Sequence, residues 1–131
     1  MLTSPCPCRL LDDADTSPSY EACCGRFHSR GAWPGTAEEL MRSRYSAFVL
    51  ELDDWVFVTW HPRTRPDDVD ASGGEEWRGL EILDTVDGGT EDAEGIVEFV
   101  AHHAGGAMRE RSRFARRAGR WLYLDGDVSH A

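Results

Sequence analysis

The pattern of apolar and polar positions changes character twice along the chain. Residues 1–35 are rich in Cys, Pro, Gly and Ser and follow neither a helical nor a strand period. From Thr36 the period becomes helical, with Met41, Tyr45, Phe48, Val49 and Leu52 recurring on one face. Thr36-Ala37-Glu38-Glu39 is a capping box, in which the Thr hydroxyl and the Glu carboxylate each satisfy a free backbone N–H. A helix is therefore predicted over 37–51. Asp53 is placed to cap a shorter helix through Trp55, Val56, Val58, Thr59 and Trp60, ending before Pro62. Its β-branched and aromatic content leaves a strand as the alternative.

Residues 61–76 read as a polar loop, and beyond them the chain reads as strands. Trp77–Val86 leads to the turn Asp87-Gly88-Gly89, Gly95–His102 to Gly105-Gly106, and Ala107–Arg116 to Ala118-Gly119. A last strand, Arg120–Leu124, closes a hairpin at that Ala-Gly pair. Helices followed by an antiparallel meander predict an α+β fold, with the helices packed on one face of a curved sheet. A sheet wrapped over a long helix encloses a cone with a pocket at its wide end.

The N-terminal segment cannot bury a core of its own and needs a metal or disulfides to hold it. It contains all four cysteines of the chain, as two close pairs, Cys6-Pro7-Cys8 and Cys23-Cys24. Two close pairs of soft ligands are what a tetrahedral zinc site requires. A redox dithiol, or a site that no longer holds metal, is the alternative. His28, four residues after Cys24, offers a substitute ligand, a minor possibility beside four cysteines.

Cys6, Cys8 and then Tyr20, Cys23, Cys24 and Gly25 spell C-x-C followed by Y-x-x-C-C-G, which resembles the SEC-C motif. Six further blocks follow in order: TAEELMRSRYSAF (36–48), TWHPRTRP (59–66), WRGLEI (77–82), GIVEFVA (95–101), ERSRF (110–114) and GRWLYLDG (119–126). Together they resemble the YchJ-like family of bacterial proteins. That resemblance implies a SEC-C zinc module at residues 1–30, with Cys6, Cys8, Cys23 and Cys24 as ligands of a structural zinc. It implies an NTF2-like cone at 31–131, and it brings no established biochemical activity. Two departures stand out. Arg9-Leu10-Leu11-Asp12-Asp13 occupies the place of the motif's Gly-Ser-Gly stretch, and the Cys8–Cys23 gap is longer than usual, so the loop between the pairs must differ.

A net charge of −10 argues against a nucleic-acid partner. The average hides an asymmetry: residues 67–98 hold twelve acids against Arg78, while 107–121 hold six arginines against Glu110. Cross-strand pairing of those arginines with the acidic segment is the favoured reading, and an anion-binding strip the other. No apolar run approaches the ~18 residues of a membrane helix, and the N-terminus lacks a secretory pattern. A cytoplasmic location is therefore expected.

Three residues are candidates for chemistry in the cone's pocket. His61, in Trp60-His61-Pro62, has the near-neutral pKa of a general base, although capping the helix end is the commoner role. Glu98 alternates with Val97 and Phe99, so either it lies on an apolar inner face as an acid or base, or it faces outward and pairs with Arg. Arg111 lies with Arg109 and Arg113 on one strand face, opposite Met108, Glu110, Ser112 and Phe114, and suits a carboxylate or phosphate. Trp77, Trp121 and Tyr123 are expected in the core or the pocket wall. Two functions follow: an adaptor that meets a protein partner through the zinc module, or a small-molecule binder or enzyme using His61 and Glu98.

Overall fold

Helices lead and strands follow along the chain, in the order that the periodicity predicts. The structure, a computed structural model, describes residues 4–9, 17–69, 71 and 76–130. Among these, a 3-10 turn at Pro7–Arg9 and a single helical turn, α1 (Gly25–His28), stand in the N-terminal segment. The long helix α2 (Ala37–Leu50) and the short α3 (Asp53–Val58) come next. The strands are β1 (Trp77–Asp87), β2 (Glu94–His103), β3 (Gly106–Arg117) and β4 (Arg120–His130), in one antiparallel sheet of order β1-β2-β3-β4.

Helix α2 begins where the capping box places it. The Thr36 hydroxyl accepts from the Glu39 N–H at 3.1 Å, and the Glu39 carboxylate accepts from the Gly35 N–H at 3.3 Å. Two glycines bring the sheet against this helix end. The Gly88 carbonyl accepts from the Ala37 N–H at 2.9 Å. A Cβ on Gly88 would lie 2.8 Å from that of Ala37, and one on Gly95 would lie 2.5 Å from the Gly88 Cα. Gly88 also has φ +79°, which side chains rarely adopt. The helix ends on Glu51, in the left-handed conformation that closes many helices.

Two local expectations are corrected. Asp53 does not cap α3, because its Oδ1 accepts from the Ala71 N–H at 2.8 Å and holds the following loop instead. The last strand continues beyond Leu124 to His130. Asp125-Gly126-Asp127 has the composition of a turn, yet each residue has a cross-strand reason to be extended. Asp125 and Asp127 accept from Arg113 at 2.5 and 3.1 Å. Gly126 pairs with Ser112, and any Cβ there would run into the Glu110 carboxylate. A bulge between Arg113 and Phe114 leaves Leu124 without a partner in the register. Beside it, the free edge of Tyr123 is covered by the segment after α3: its N–H donates to the Thr59 carbonyl and its carbonyl accepts from the His61 N–H.

The inner face of the sheet carries Leu80, Val97, Phe99, Ala101, Phe114 and Trp121, all buried, with α2 packed across β1, β2 and β4. The cysteines and Phe27 belong to the same packed core. The outer face carries the arginine row of β3. Arg109 and Arg111 both meet Glu98, Arg111 also meets Asp84, and Arg113 meets Asp125 and Asp127. Gly88→Ala combines a steric conflict with positive φ; urea denaturation should show a loss of about 2 kcal/mol against wild type.

Candidate metal centre and cavity

Four cysteine sulfurs converge on one point between the N-terminal segment and α2. Cys6 and Cys8 flank Pro7 at the 3-10 turn, whose Arg9 N–H donates to the Cys6 carbonyl at 2.8 Å. Cys23 and Cys24 enter α1 from a turn built on the Tyr20 carbonyl, which accepts the N–H of Cys23 at 3.1 Å and of Gly25 at 2.8 Å. A Cβ on Gly25 would lie 2.7 Å from that carbonyl oxygen, so the glycine of the motif is required by the close approach. The result is four ligand atoms within 4.8 Å of one another, all on buried residues. Cys8 Sγ lies 3.6 Å from Cys6 Sγ and 3.7 Å from those of Cys23 and Cys24. These separations are far beyond the ~2.05 Å of a disulfide, and all four thiols are free.

Crowding sets the protonation of the thiols. Hydrogen bonds from neighbouring thiols, led by Cys23, push Cys6 strongly towards thiolate, and Cys24 brings Cys23 down to about 6. Cys8 and Cys24 are pushed up, chiefly because they share protons with Cys23. Four sulfurs this close cannot all be thiolates on their own, and a bound cation is what allows four thiolates together. The surroundings suit that charge. The Ser46 hydroxyl donates to Cys24 Sγ at 3.3 Å and lies 3.5 Å from Cys6 Sγ. Arg42 donates to the Cys8 carbonyl and Arg26 to the Cys23 carbonyl, each at 2.9 Å. The donor set is that of a metal centre.

His28 is not a fifth donor. Its Nε2 donates to the Ser43 carbonyl at 2.8 Å, so its Nδ1 is the acceptor for the Tyr20 hydroxyl at 2.6 Å. Both nitrogens are occupied in tying the motif's tyrosine to α2. Burial, aided by Arg30, holds the imidazole below its ordinary range and neutral.

On the other side of α2 a cavity of about 230 Å³ opens between the helix and the inner sheet face. Most of its wall is apolar, from Met41, Phe48, Trp77, Phe99 and Met108, and Arg44, Glu110, Ser112 and Tyr123 supply polar groups. Trp77 and Tyr123 are pocket wall, and Trp121 is fully buried core. His61, Glu98 and Arg111 are absent from the lining. Glu98 and Arg111 face outward because Val97 and Phe99 take the inner positions of β2, and Glu110 and Ser112 those of β3. The outer arginines hold the Glu98 carboxyl below the usual carboxylate range, Arg109 first and Arg111 second. His61 closes a turn, its Nδ1 accepting from the Arg63 N–H at 3.1 Å, and partial desolvation with Arg63 and Arg117 keeps its pKa low. No acid–base set joins these three.

The polar residues that do meet in the cavity had a weak signal. Arg44 interrupts the apolar stripe of Met41, Tyr45 and Phe48, and Glu110 shares a strand face with Met108 and Phe114. Ser46 had none, because nothing in the helical period marks a serine as a partner of distant cysteines.

A four-thiol centre joined to this α-helix-and-meander cone defines an NTF2-like protein carrying a SEC-C motif. The chain belongs to the YchJ-like family: the model of the middle NTF2-like domain of YchJ matches residues 36–126. It is 52% identical over 127 residues to a UPF0225 protein of Streptomyces coelicolor, covering 97% of this chain and 98% of that one. A UPF0225 protein of Cupriavidus pinatubonensis is 43% identical over 135 residues, with 95% and 89% covered. Among solved structures, a SEC-C motif containing protein from Psychrobacter arcticus is similar with a TM-score of 0.76 and 29% identity, covering 100% of this chain and 87% of that one. One from Rhodopseudomonas palustris gives 0.74 and 30%, with 86% and 93% covered. Among the described residues no helix is long and apolar enough to cross a membrane.

Because neutral His28 is depressed below its unfolded value of about 6.5, its contribution to stability is complete above that pH and is lost as pH falls through the folded value. His28→Gln, which keeps one donor and one acceptor, should flatten the drop in Tm between about pH 7.5 and 5.5 relative to wild type.

Proposed function

We propose that the chain is a zinc-stapled adaptor without catalytic activity, in which zinc fixes the N-terminal module on α2 and the module meets a protein partner. The observation that carries the zinc reading is the closed shell of four buried sulfurs. Zinc–thiolate bonds of about 2.3 Å in a tetrahedron set sulfur–sulfur edges of about 3.8 Å, and the Cys8 edges of 3.6, 3.7 and 3.7 Å support that ion. Four protein ligands leave no position for water or substrate, so the ion's role is structural. Four thiols this close would cross-link in an oxidising compartment, which supports a cytoplasmic location.

Metal analysis by mass spectrometry on protein purified without chelator should find one zinc per chain. Cys23→Ser/Cys24→Ser should lose it and lower Tm by at least about 10 °C, since structural zinc contributes folding free energy directly. Protein without metal, with four titratable thiols, would overturn the zinc reading.

The adaptor reading is supported by the closed metal shell and by the polar surface of the module, where Glu21, Arg26, Ser29 and Arg30 are exposed. Immobilised wild type should retain from a bacterial lysate a defined protein that Glu21→Arg/Arg30→Glu does not, at equal zinc content and Tm. Retention of nothing by the wild type would remove the adaptor role and leave the zinc site untouched.

A further inference from the structure

Two charged side chains in the cavity have hydrogen-bonding capacity that the protein does not use. Arg44 is 6% exposed. Its two hydrogen bonds both leave from Nη1, to the Val56 carbonyl at 3.0 Å and the Thr59 hydroxyl at 2.8 Å. Among the described residues, Nε and Nη2 make none. No ion pair joins this guanidinium to a described carboxylate. It lies instead over the rings of Tyr123, at 4.4 Å, and Trp60, at 5.1 Å. Burial lowers its pKa to about 10, so it stays cationic at neutral pH, while Tyr123 and Glu110 act on it through space. Glu110 is 8% exposed, and its Oε2 accepts from the Ser112 hydroxyl at 2.6 Å and the Tyr123 hydroxyl at 2.9 Å. Its Oε1 has no protein donor among the described residues.

Buried charges are normally paired by direct contact, because an unpaired one loses its hydration without compensation. Here a cation with free donors and a carboxylate with a free acceptor line one cavity without touching. Tyr123 stands between them, its ring under Arg44 and its hydroxyl on Glu110. The remaining wall, including Phe48, Trp77 and Met108, is apolar. The volume of about 230 Å³ exceeds the ~150 Å³ of an apolar cavity that takes up benzene, so a ring with a short polar head fits the space. A direct Arg44–Glu110 ion pair would have neutralised both groups and served stability alone. The gap suits a molecule that completes the pair.

We propose that this cavity binds a small hydroxy or amino acid with an apolar, ring-sized body. Its carboxylate meets the free face of Arg44, its hydroxyl or ammonium donates to Glu110 Oε1, and its ring lies among Phe48, Trp77 and Met108. The bidentate guanidinium–carboxylate geometry gives orientation, and Glu110 selects for an adjacent donor. No bond is made or broken. The proposal does not rest on which ion the metal centre holds or on a protein partner.

Binding is read by NMR titration of the zinc-loaded full chain with 3-phenyllactate and L-phenylalanine, beside two truncated analogues. 3-Phenylpropionate lacks the donor, and 2-phenylethanol lacks the carboxylate. At least one of the first two should bind with a Kd below about 1 mM, and each analogue should be at least about tenfold weaker. Arg44→Met removes the carboxylate's partner but also the bonds to Val56 and Thr59. Ala101→Leu, which fills the cavity and leaves both charges in place, is therefore the second variant, and it should abolish binding with the fold retained. Failure of both acids to bind overturns the proposal. So does equal binding of 2-phenylethanol, which would reduce the cavity to an apolar void, or unchanged binding by Ala101→Leu, which would put the ligand elsewhere.

Discussion

Helix α2 carries buried polar groups on two opposite sides, and neither side can rely on water to satisfy them. Ser43 and Ser46 face the N-terminal module, where Ser43 supplies its carbonyl to His28 and its hydroxyl to Trp55, and Ser46 donates to the cysteine cluster. Roughly half a turn away, Arg44 and Tyr45 face the cavity under the sheet. At about 100° per residue, Ser43 and Ser46 fall together on one side of the helix, and Arg44 and Tyr45 on the other. The helix is held because each side has a dedicated structure packed on it. Removing either would expose Ser43, Ser46 or Arg44 with partners designed for a dry site.

The module gives α2 this cover without a core of its own. Its short elements, three residues in the 3-10 turn and four in α1, are too small to persist by propensity. They gain position from convergence of the four sulfurs, from the Tyr20–His28–Ser43 relay, and from Arg26 and Arg42. A divalent ion with four thiolates carries a net charge of −2. The Ser46 hydroxyl donates to the cluster itself, while Arg26 and Arg42, each also paired with a glutamate, fix the cysteine backbone around it. The outer face of the sheet uses arginine differently. There the Arg109, Arg111 and Arg113 pairs stand in solvent, which screens them and leaves them little weight in stability. Their clearer consequence is register: a one-residue slip of β3 against β2 or β4 would bring these arginines onto the apolar face.

The elements could be read from the chain wherever one local rule governs a segment. The start of α2 follows from Thr36 and Glu39, and the strand turns follow from glycines. The motif's Tyr20, Cys23, Cys24 and Gly25 mark a turn whose geometry only glycine permits. Reading failed where a residue answers to a distant partner. Asp125-Gly126-Asp127 looks like a turn until Arg113 and Glu110 are placed opposite it. Asp53 looks like a cap until Ala71 is near. His61, Glu98 and Arg111 have the right chemistry for a pocket, but strand parity and the turn after α3 put them outside it. The arginine row did pair with acids across the sheet, because alternation fixes faces well even when it does not say which face is inner.

The metal centre and the cavity share α2, and this bears on how either one behaves. Ser43 and Arg44 are consecutive, and the three hydrogen bonds they accept from His28 and Trp55 or donate to Val56 fix the helix in rotation as well as in depth. α3 closes the loop, since Trp55 bonds to the Ser43 hydroxyl while Val56 and Thr59 hold the Arg44 guanidinium. A helix moves as a rigid body, so a rotation that relieved strain at the sulfurs would carry the guanidinium away from Tyr123. Residues in one hydrogen-bonded network couple by about 0.5–3 kcal/mol, enough to change occupancy of a millimolar site severalfold. The packing of the N-terminal segment on α2 therefore also sets the depth and angle of Arg44, the cation that lines the cavity.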